Sequence, residues 1–392
     1  MALDRNNSMF VQVLSGIFGE ENGTLDDVFD DMVEVKATHE ITVIYLTILF
    51  FIIGVIGILG NLLVIFAVIC SKKMRKSMTN LLITNLAFAD LLIMVFGIPE
   101  IFQFMMNKGW TFDDFMCRGN RYILVTSLYG SVLTLISLCV ERYIAIIHPI
   151  KAHILCNRRR IVVVLGCIWP FAWLAGLPTL FFNIVKEGHP LHPENQLKYC
   201  MMEFPDNPKI FYLVFKLIES ACFYFLPLSI QLTLYAFVSK HLFIGSDRLH
   251  RTYTVRDRNG TSMERYSEAI QARKGVVKML MASVIVYFLS YSPNQILLVW
   301  NVVQPKTFHE NWTFLVLTMI IAYVNSAANP ILYSIFSQNF RECFRDILCR
   351  CCPKRPERRT LRAGSMPSTY NTYSTTSRYL RHTSLASAVT DV

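Results

Sequence analysis

Residues 41–70 read ITVIYLTILFFIIGVIGILGNLLVIFAVIC, without a single Asp, Glu, Lys, Arg or His. Crossing a hydrocarbon core of ~30 Å takes about 20 helical residues. In lipid only a helix or a closed barrel pairs all its backbone polar groups. Barrel strands alternate polar and apolar residues, and this run does not. It is also far longer than the apolar core of a signal peptide. The same texture returns at residues 78–105, 122–140, 161–185, 220–239, 279–304 and 311–340. The second of these is interrupted only by Asp90 in its middle and Glu100 near its end. A fifth helix starting near Pro208 carries Lys216 and Glu219 in its outer turns. The expected architecture is all-α, a seven-transmembrane helix bundle over residues 41–336.

The composition agrees. The chain is 53% hydrophobic and 17% charged, against about 25% charged in soluble domains. Positive charge gathers in alternate loops: Lys72, Lys73, Arg75 and Lys76 in the first, Lys151 and Arg158 to Arg160 in the third, then the fifth loop and the C-terminal tail. By the positive-inside rule these loops are cytoplasmic, which places the N-terminus outside. The net charge of +10 then reflects topology and attraction to anionic inner-leaflet lipid, not nucleic-acid binding. Residues 1–40 form an acidic outer tail with sequons at Asn6 and Asn22, and a third sequon starts at Asn311; Asn6 and Asn22 are the expected glycosylation sites. No cleavable signal peptide is read ahead of the first span, which is expected to act as an uncleaved signal-anchor.

Of the eleven cysteines, only Cys117 and Cys200 fall on the predicted outer side. That compartment is oxidising, so a disulfide between them is expected, with two free thiols as the alternative. Residues 337–352 begin with Phe340, Phe344 and Leu348 four apart, the pattern of a short amphipathic eighth helix on the inner leaflet. Cys349, Cys351 and Cys352 follow as expected palmitoylation sites. Residues 353–392, rich in Ser, Thr, Tyr and Arg, have the composition of a disordered cytoplasmic tail. Its end, Thr390-Asp391-Val392, resembles a carboxyl-terminal ligand of PDZ domains.

An ionisable group at mid-bilayer costs about 2.5–3.5 kcal/mol on insertion scales. Asp90 is therefore a functional candidate, with Asn61, Ser131, Asn325, Ser326 and Asn329 at comparable depth on other helices. Such a set suits a sodium ion or an internal water network, and the residues alone leave both open. Glu141-Arg142-Tyr143 ends the third span. An Arg paired with its neighbouring carboxylate makes a breakable switch; ordinary interfacial snorkelling is the alternative. Pro99, Pro178, Pro227, Pro293 and Pro330 interrupt five spans, and proline kinks membrane helices.

Together these residues resemble the rhodopsin-like (class A) family of G-protein-coupled receptors, over about 41–352. The ordered set is Gly60-Asn61; Leu86 through Asp90; Cys117 with Glu141-Arg142-Tyr143 and Pro149; Trp169; Pro227 with Tyr235; and Asn329-Pro330-Ile331-Leu332-Tyr333. The stretch 141–156, ERYIAIIHPIKAHILC, looks like that of thyrotropin-releasing-hormone receptors and related neuropeptide receptors. The resemblance implies that an extracellular ligand favours a state with the inner end of helix six swung outward. Arg142 then leaves Glu141 for Tyr235 and Tyr333, and the opened cavity receives a heterotrimeric G protein. Asp90, Ser131, Asn325 and Asn329 match the family's sodium site. Helix six departs from the pattern: Tyr287 stands where a phenylalanine is usual and Tyr291 where the pivot tryptophan is, ahead of Pro293.

The seventh span has no lysine for a retinal Schiff base, and Leu124 stands where amine receptors carry an aspartate. A peptide ligand is the expectation, with a non-peptide small molecule or lipid as the alternative. The expected pocket holds Glu100, Gln103, Arg121, Leu124, Glu219, Asn294, Gln295, Leu298, Met319 and Tyr323. Of Glu100 and Glu219, one is expected to pair internally, with Arg121 or Lys216, and the other to meet the ligand. Arrestin and receptor kinases are expected cytoplasmic partners, and the plasma membrane the location. A seven-helix transporter would show paired repeats with matching broken helices; none is seen. An enzyme would gather acids, or a Ser/His set, on one cavity, and the histidines lie in loops and tails, so no catalytic activity is expected.

Overall fold

The computed structural model describes residues 25–106, 109–187, 197–205, 208–244, 260–303 and 312–351. Asn6, Asn22, Asn311, Cys352, the tail 353–392 and its Thr390-Asp391-Val392 end lie outside the described residues.

Seven helices long and apolar enough to cross a membrane are found among the described residues. They lie on α1 (Leu25–Cys70), α2 (Met78–Met105), α3 (Asp114–Ile147), α4 (Arg158–Phe182), the composite α5 (residues 208–244), α6 (Gly260–Val303) and α7 (Trp312–Phe336). A final helix, α8 (Gln338–Cys351), follows α7 after Ser337. Large apolar side chains such as Tyr45, Phe51 and Leu174 stay exposed on the outside of the bundle, as expected of surfaces facing lipid.

Several boundaries differ from the apolar windows. Helix α1 starts at Leu25, not Ile41. Residues 25–40 contain neither Gly nor Pro, so a helix already nucleated in the membrane propagates outward with each added backbone bond. Hydropathy marks what crosses the bilayer, not where the helix stops. At the other end of the window 161–185, helix α4 stops at Phe182; Asn183–Glu187 is a strand (β1), paired antiparallel with Lys198–Met202 (β2). In α8, Phe340 and Phe344 are buried against Tyr333 and the bundle core, while Leu348 is 57% exposed. The amphipathic face is thus divided: two phenylalanines dock on the bundle and the leucine is left to the surroundings.

Helix α5 is made of Pro208–Ser220, a π-turn at Ala221–Phe225, Leu226–Ser239 and a second π-turn at Lys240–Ile244. The first π-turn ends two residues before Pro227, which has no N–H to give to a carbonyl one turn back.

Polar side chains fasten the helices to one another. The Trp169 indole N–H on α4 donates to Asn85 Oδ1 on α2 at 2.9 Å, and Asn85 Nδ2 donates to Thr134 Oγ1 on α3 at 2.8 Å. On α1, Asn61 Nδ2 donates to Ser326 O of α7 at 3.0 Å. Helices α1 and α7 can approach this closely because Gly60 has no side chain: a Cβ there would sit 2.9 Å from the Pro330 ring.

The disulfide expected between Cys117 and Cys200 is formed, with Cα atoms 5.6 Å apart. It ties β2 to the first turn of α3. This end of the bundle is called the disulfide end below, and the opposite one the Arg142 end.

Two expectations about stability follow. Asn85→Ala leaves the Trp169 N–H without its partner, so it should lower stability by about 1–3 kcal/mol, read as a lower Tm in detergent; an unchanged Tm would mean that the triad is dispensable. Cys200→Ser should cost about 2–4 kcal/mol and reduce surface expression, which normal expression and signalling would contradict.

Candidate functional site

Two ion pairs lie toward the disulfide end of α2, α3 and α5. Arg121 Nη2 meets Glu100 Oε1 at 2.6 Å, and Asn120 Nδ2 donates to Glu100 Oε2 at 2.9 Å. Across the bundle on α5, Lys216 Nζ meets Glu219 Oε2 at 2.7 Å, and the Tyr129 hydroxyl of α3 donates to Glu219 Oε1 at 2.6 Å. Both carboxylates are therefore engaged internally. Internal pairing, expected for one of them, is found for both: a carboxylate carried toward lipid is costly without a partner, and each has two. The cation is the more exposed member of each pair, Arg121 at 41% against Glu100 at 14%, and Lys216 at 26% against Glu219 at 14%.

The other predicted pocket residues have varied roles. Gln103 is buried, and its Oε1 accepts from the Thr111 N–H at 2.8 Å and the Thr111 hydroxyl at 3.0 Å, so it holds the loop after α2. Gln295 Oε1 accepts from the Ser220 hydroxyl. Met319 and Tyr323 pack on a cluster that includes Leu46, Phe50 and Ile101, with the Tyr323 ring edge-on to Phe50 at 5.4 Å. Leu124 and Leu298 are half-buried and Asn294 is exposed.

At mid-bundle, Asp90 is fully buried. Asn329 Nδ2 donates to its Oδ2 at 2.7 Å, and the Ser131 hydroxyl donates to Oδ1 at 3.4 Å. Asn325 is buried but is not among the side chains bonded to Asp90. Asn61 Oδ1 is buried with no hydrogen-bond partner among the described residues. One carboxylate surrounded by hydroxyl and amide oxygens, one of them spare, is a fitting donor set for a small monovalent cation.

The Arg142 end holds a charged pair. Arg142 forks onto Glu141, Nε to Oε2 and Nη2 to Oε1, both at 2.5 Å. Its Nη2 also donates to the Thr79 hydroxyl on α2, which is 3.4 Å from each Glu141 oxygen. A two-pronged Arg–carboxylate pair is strong and directional. Tyr143 packs edge-on to His148 and Phe237, with centroids 5.8 Å and 6.5 Å away. Tyr235 and Tyr333 are buried, and the Tyr333 hydroxyl has no partner among the described residues.

On α6, Tyr287 and Tyr291 lie with ring centroids 5.1 Å apart, and Pro293 is inside the helix. Cys349 and Cys351 fall in the last turn of α8; their side chains are outside the described set.

Sequence reasoning missed Thr79, Asn120 and Tyr129. Thr79 is 62 positions from Glu141 and Tyr129 is 90 from Glu219. No local pattern marks a hydroxyl whose partner is brought in by helix packing.

The profile described as "7 transmembrane receptor (rhodopsin family)" matches residues 60–333. The chain is 36% identical to neuropeptide receptor 15 of Caenorhabditis elegans, over 79% of this chain and 91% of that protein. It is 30% identical to the human thyrotropin-releasing hormone receptor, over 86% of each. It is 27% identical to the allatostatin-A receptor of Bombyx mori, again over 86% of each. With the seven spans, the Asp90 cluster and the Glu141–Arg142 fork in place, the chain belongs to the rhodopsin family of seven-transmembrane receptors, a family of receptors and not of enzymes.

Proposed function

We propose that the protein is a plasma-membrane receptor, N-terminus outside, that binds an extracellular peptide and activates a heterotrimeric G protein. The observation that carries the reading is Arg142 held by Glu141 and Thr79, a charged side chain detained at the bundle end where a G protein would enter. A ligand shifts such an equilibrium only by binding one state better than the other. A peptide bound at the disulfide end favours the state in which the inner end of α6 has moved out and Arg142 has turned toward Tyr235 and Tyr333.

Relatives named as receptors for neuropeptides, thyrotropin-releasing hormone and allatostatin-A support a peptide ligand. The cations Arg121 and Lys216, the more exposed members of their pairs, would receive its carbonyl or carboxylate oxygens. Asp90, Ser131, Asn325 and Asn329 would hold an allosteric sodium ion in the state that keeps Arg142 paired. Glycans at Asn6 and Asn22, acyl chains on Cys349, Cys351 and Cys352, phosphorylation by receptor kinases with arrestin capture, and a PDZ protein at Thr390-Asp391-Val392 complete the reading.

A neuropeptide library screened on expressing cells, with calcium and cyclic AMP recorded together, should give a potent peptide response absent from untransfected cells. Silence in both channels with surface expression verified would overturn the peptide assignment. Arg142→Ala should abolish the response while peptide binding persists, and undiminished signalling would remove the switch. Sodium should weaken agonist binding to the wild type but not to Asp90→Asn; equal sodium sensitivity in the two would exclude the ion site.

A further inference from the structure

Pro227 breaks the backbone ladder of α5 at a definable place. A regular helix would have paired the N–H of residue 227 with the carbonyl of Phe223, and proline has no such N–H. The π-turn at Ala221–Phe225 is the local accommodation, with Leu226 N–H bonded to Ala221 O. The carbonyl that a regular helix would have paired with residue 227 takes a bond from another helix: the hydroxyl of Tyr287 on α6 donates to Phe223 O at 2.6 Å. Tyr287 is itself 2% exposed, so that hydroxyl is costly to bury without a partner. Donor and acceptor each solve the other's problem. The phenylalanine usual at this place in the family would bring no hydroxyl.

Where the tie falls on α6 gives it a consequence. Two other side-chain ties join α5 to α6 nearby, Tyr224 to Ser292 at 2.7 Å and Ser220 to Gln295. Both engage α6 beside Pro293 or on its disulfide side. Tyr287 lies six residues from Pro293 on the Arg142 side, within the half of α6 that swings if the proline is the hinge. In that half Ser239 also donates to the Met281 sulfur at 3.3 Å, and a thioether is a weak acceptor.

We propose that Tyr287 is a positioning residue of the G-protein switch: its hydroxyl bonds the Phe223 carbonyl one turn before Pro227 and latches the moving half of α6 to α5 in the Arg142-paired state. The latch rests on the outward movement of α6 set out under Proposed function. It adds a second restraint on the closed state, between different helices and remote from the Glu141–Arg142 fork.

The test uses the full-length receptor in nanodiscs without ligand. Basal nucleotide exchange is measured on a panel of purified G-protein heterotrimers, alongside hydrogen–deuterium exchange over residues 279–286. Tyr287→Phe deletes the hydroxyl and keeps the ring. It should raise basal exchange about two- to tenfold, the span of one neutral hydrogen bond, and increase deuterium uptake in that segment. Ser292→Ala removes a tie beside the hinge and should leave both readouts at wild-type level. Wild-type readouts in Tyr287→Phe would overturn the latch, as would an equal rise in Ser292→Ala, which would signify general loosening. Glu141→Gln separates this failure from failure of the switch itself: a rise there with Tyr287→Phe silent rejects the latch alone, and silence in both rejects latch and switch together. Should Tyr287→Phe not reach the membrane, Pro227→Ala returns an N–H to compete for Phe223 O; raised basal exchange is then expected, and a wild-type level overturns the proposal.

Discussion

Hydrocarbon offers no hydrogen bonds, so a polar atom carried into the bilayer gains most from a partner inside the bundle. The backbone meets this demand by becoming helical. Side chains meet it by reaching across: Asn85 between Trp169 and Thr134, Asn61 to the Ser326 carbonyl, Asn329 to Asp90. Because the alternative is an unpaired polar atom in an apolar medium, each bond also fixes which helix lies beside which. Apolar packing between such helices is less selective, since lipid tails are as apolar as leucine. The polar bonds therefore set much of the register of the bundle.

The same demand decides the charged residues. Arg142 lies against Glu141, Arg121 against Glu100 and Lys216 against Glu219, each carboxylate also taking a neutral donor. A pair held this way is firm yet exchangeable, because a different arrangement of helices can offer the cation another acceptor. A receptor needs such a bond: strong enough to define a resting state, and replaceable by another of similar strength.

What the sequence made legible follows from how local each signal is. Seven apolar runs, the positive loops, the lone pair of outer cysteines and the Phe340–Phe344 spacing are all readable within a few residues, and spans, disulfide and α8 appear accordingly. Helix ends were less legible, because α1 runs past its apolar window to Leu25 and β1 takes the end of the fourth. Side-chain partners across helices were least so. Thr79 beside Arg142 and Tyr129 beside Glu219 depend on helix rotation, which no short pattern encodes. The pairing of both Glu100 and Glu219 was one of two open alternatives for each; only packing shows that each has a cation within reach.

The β-hairpin has a mechanical side. Cys200 sits on a strand, opposite Val185 in the ladder, so the disulfide anchors a small stiff plate and not a slack thread. The plate is fixed to α3 a second time, since Val185 N–H donates to Asp114 Oδ1 at 3.1 Å. From there α3 runs 34 residues, a rod of about 50 Å at 1.5 Å per residue, with Arg142 near its far end. Any load placed on the hairpin is thus delivered through two attachments to the head of that rod, and one continuous helix connects the hairpin to the Glu141–Arg142 pair.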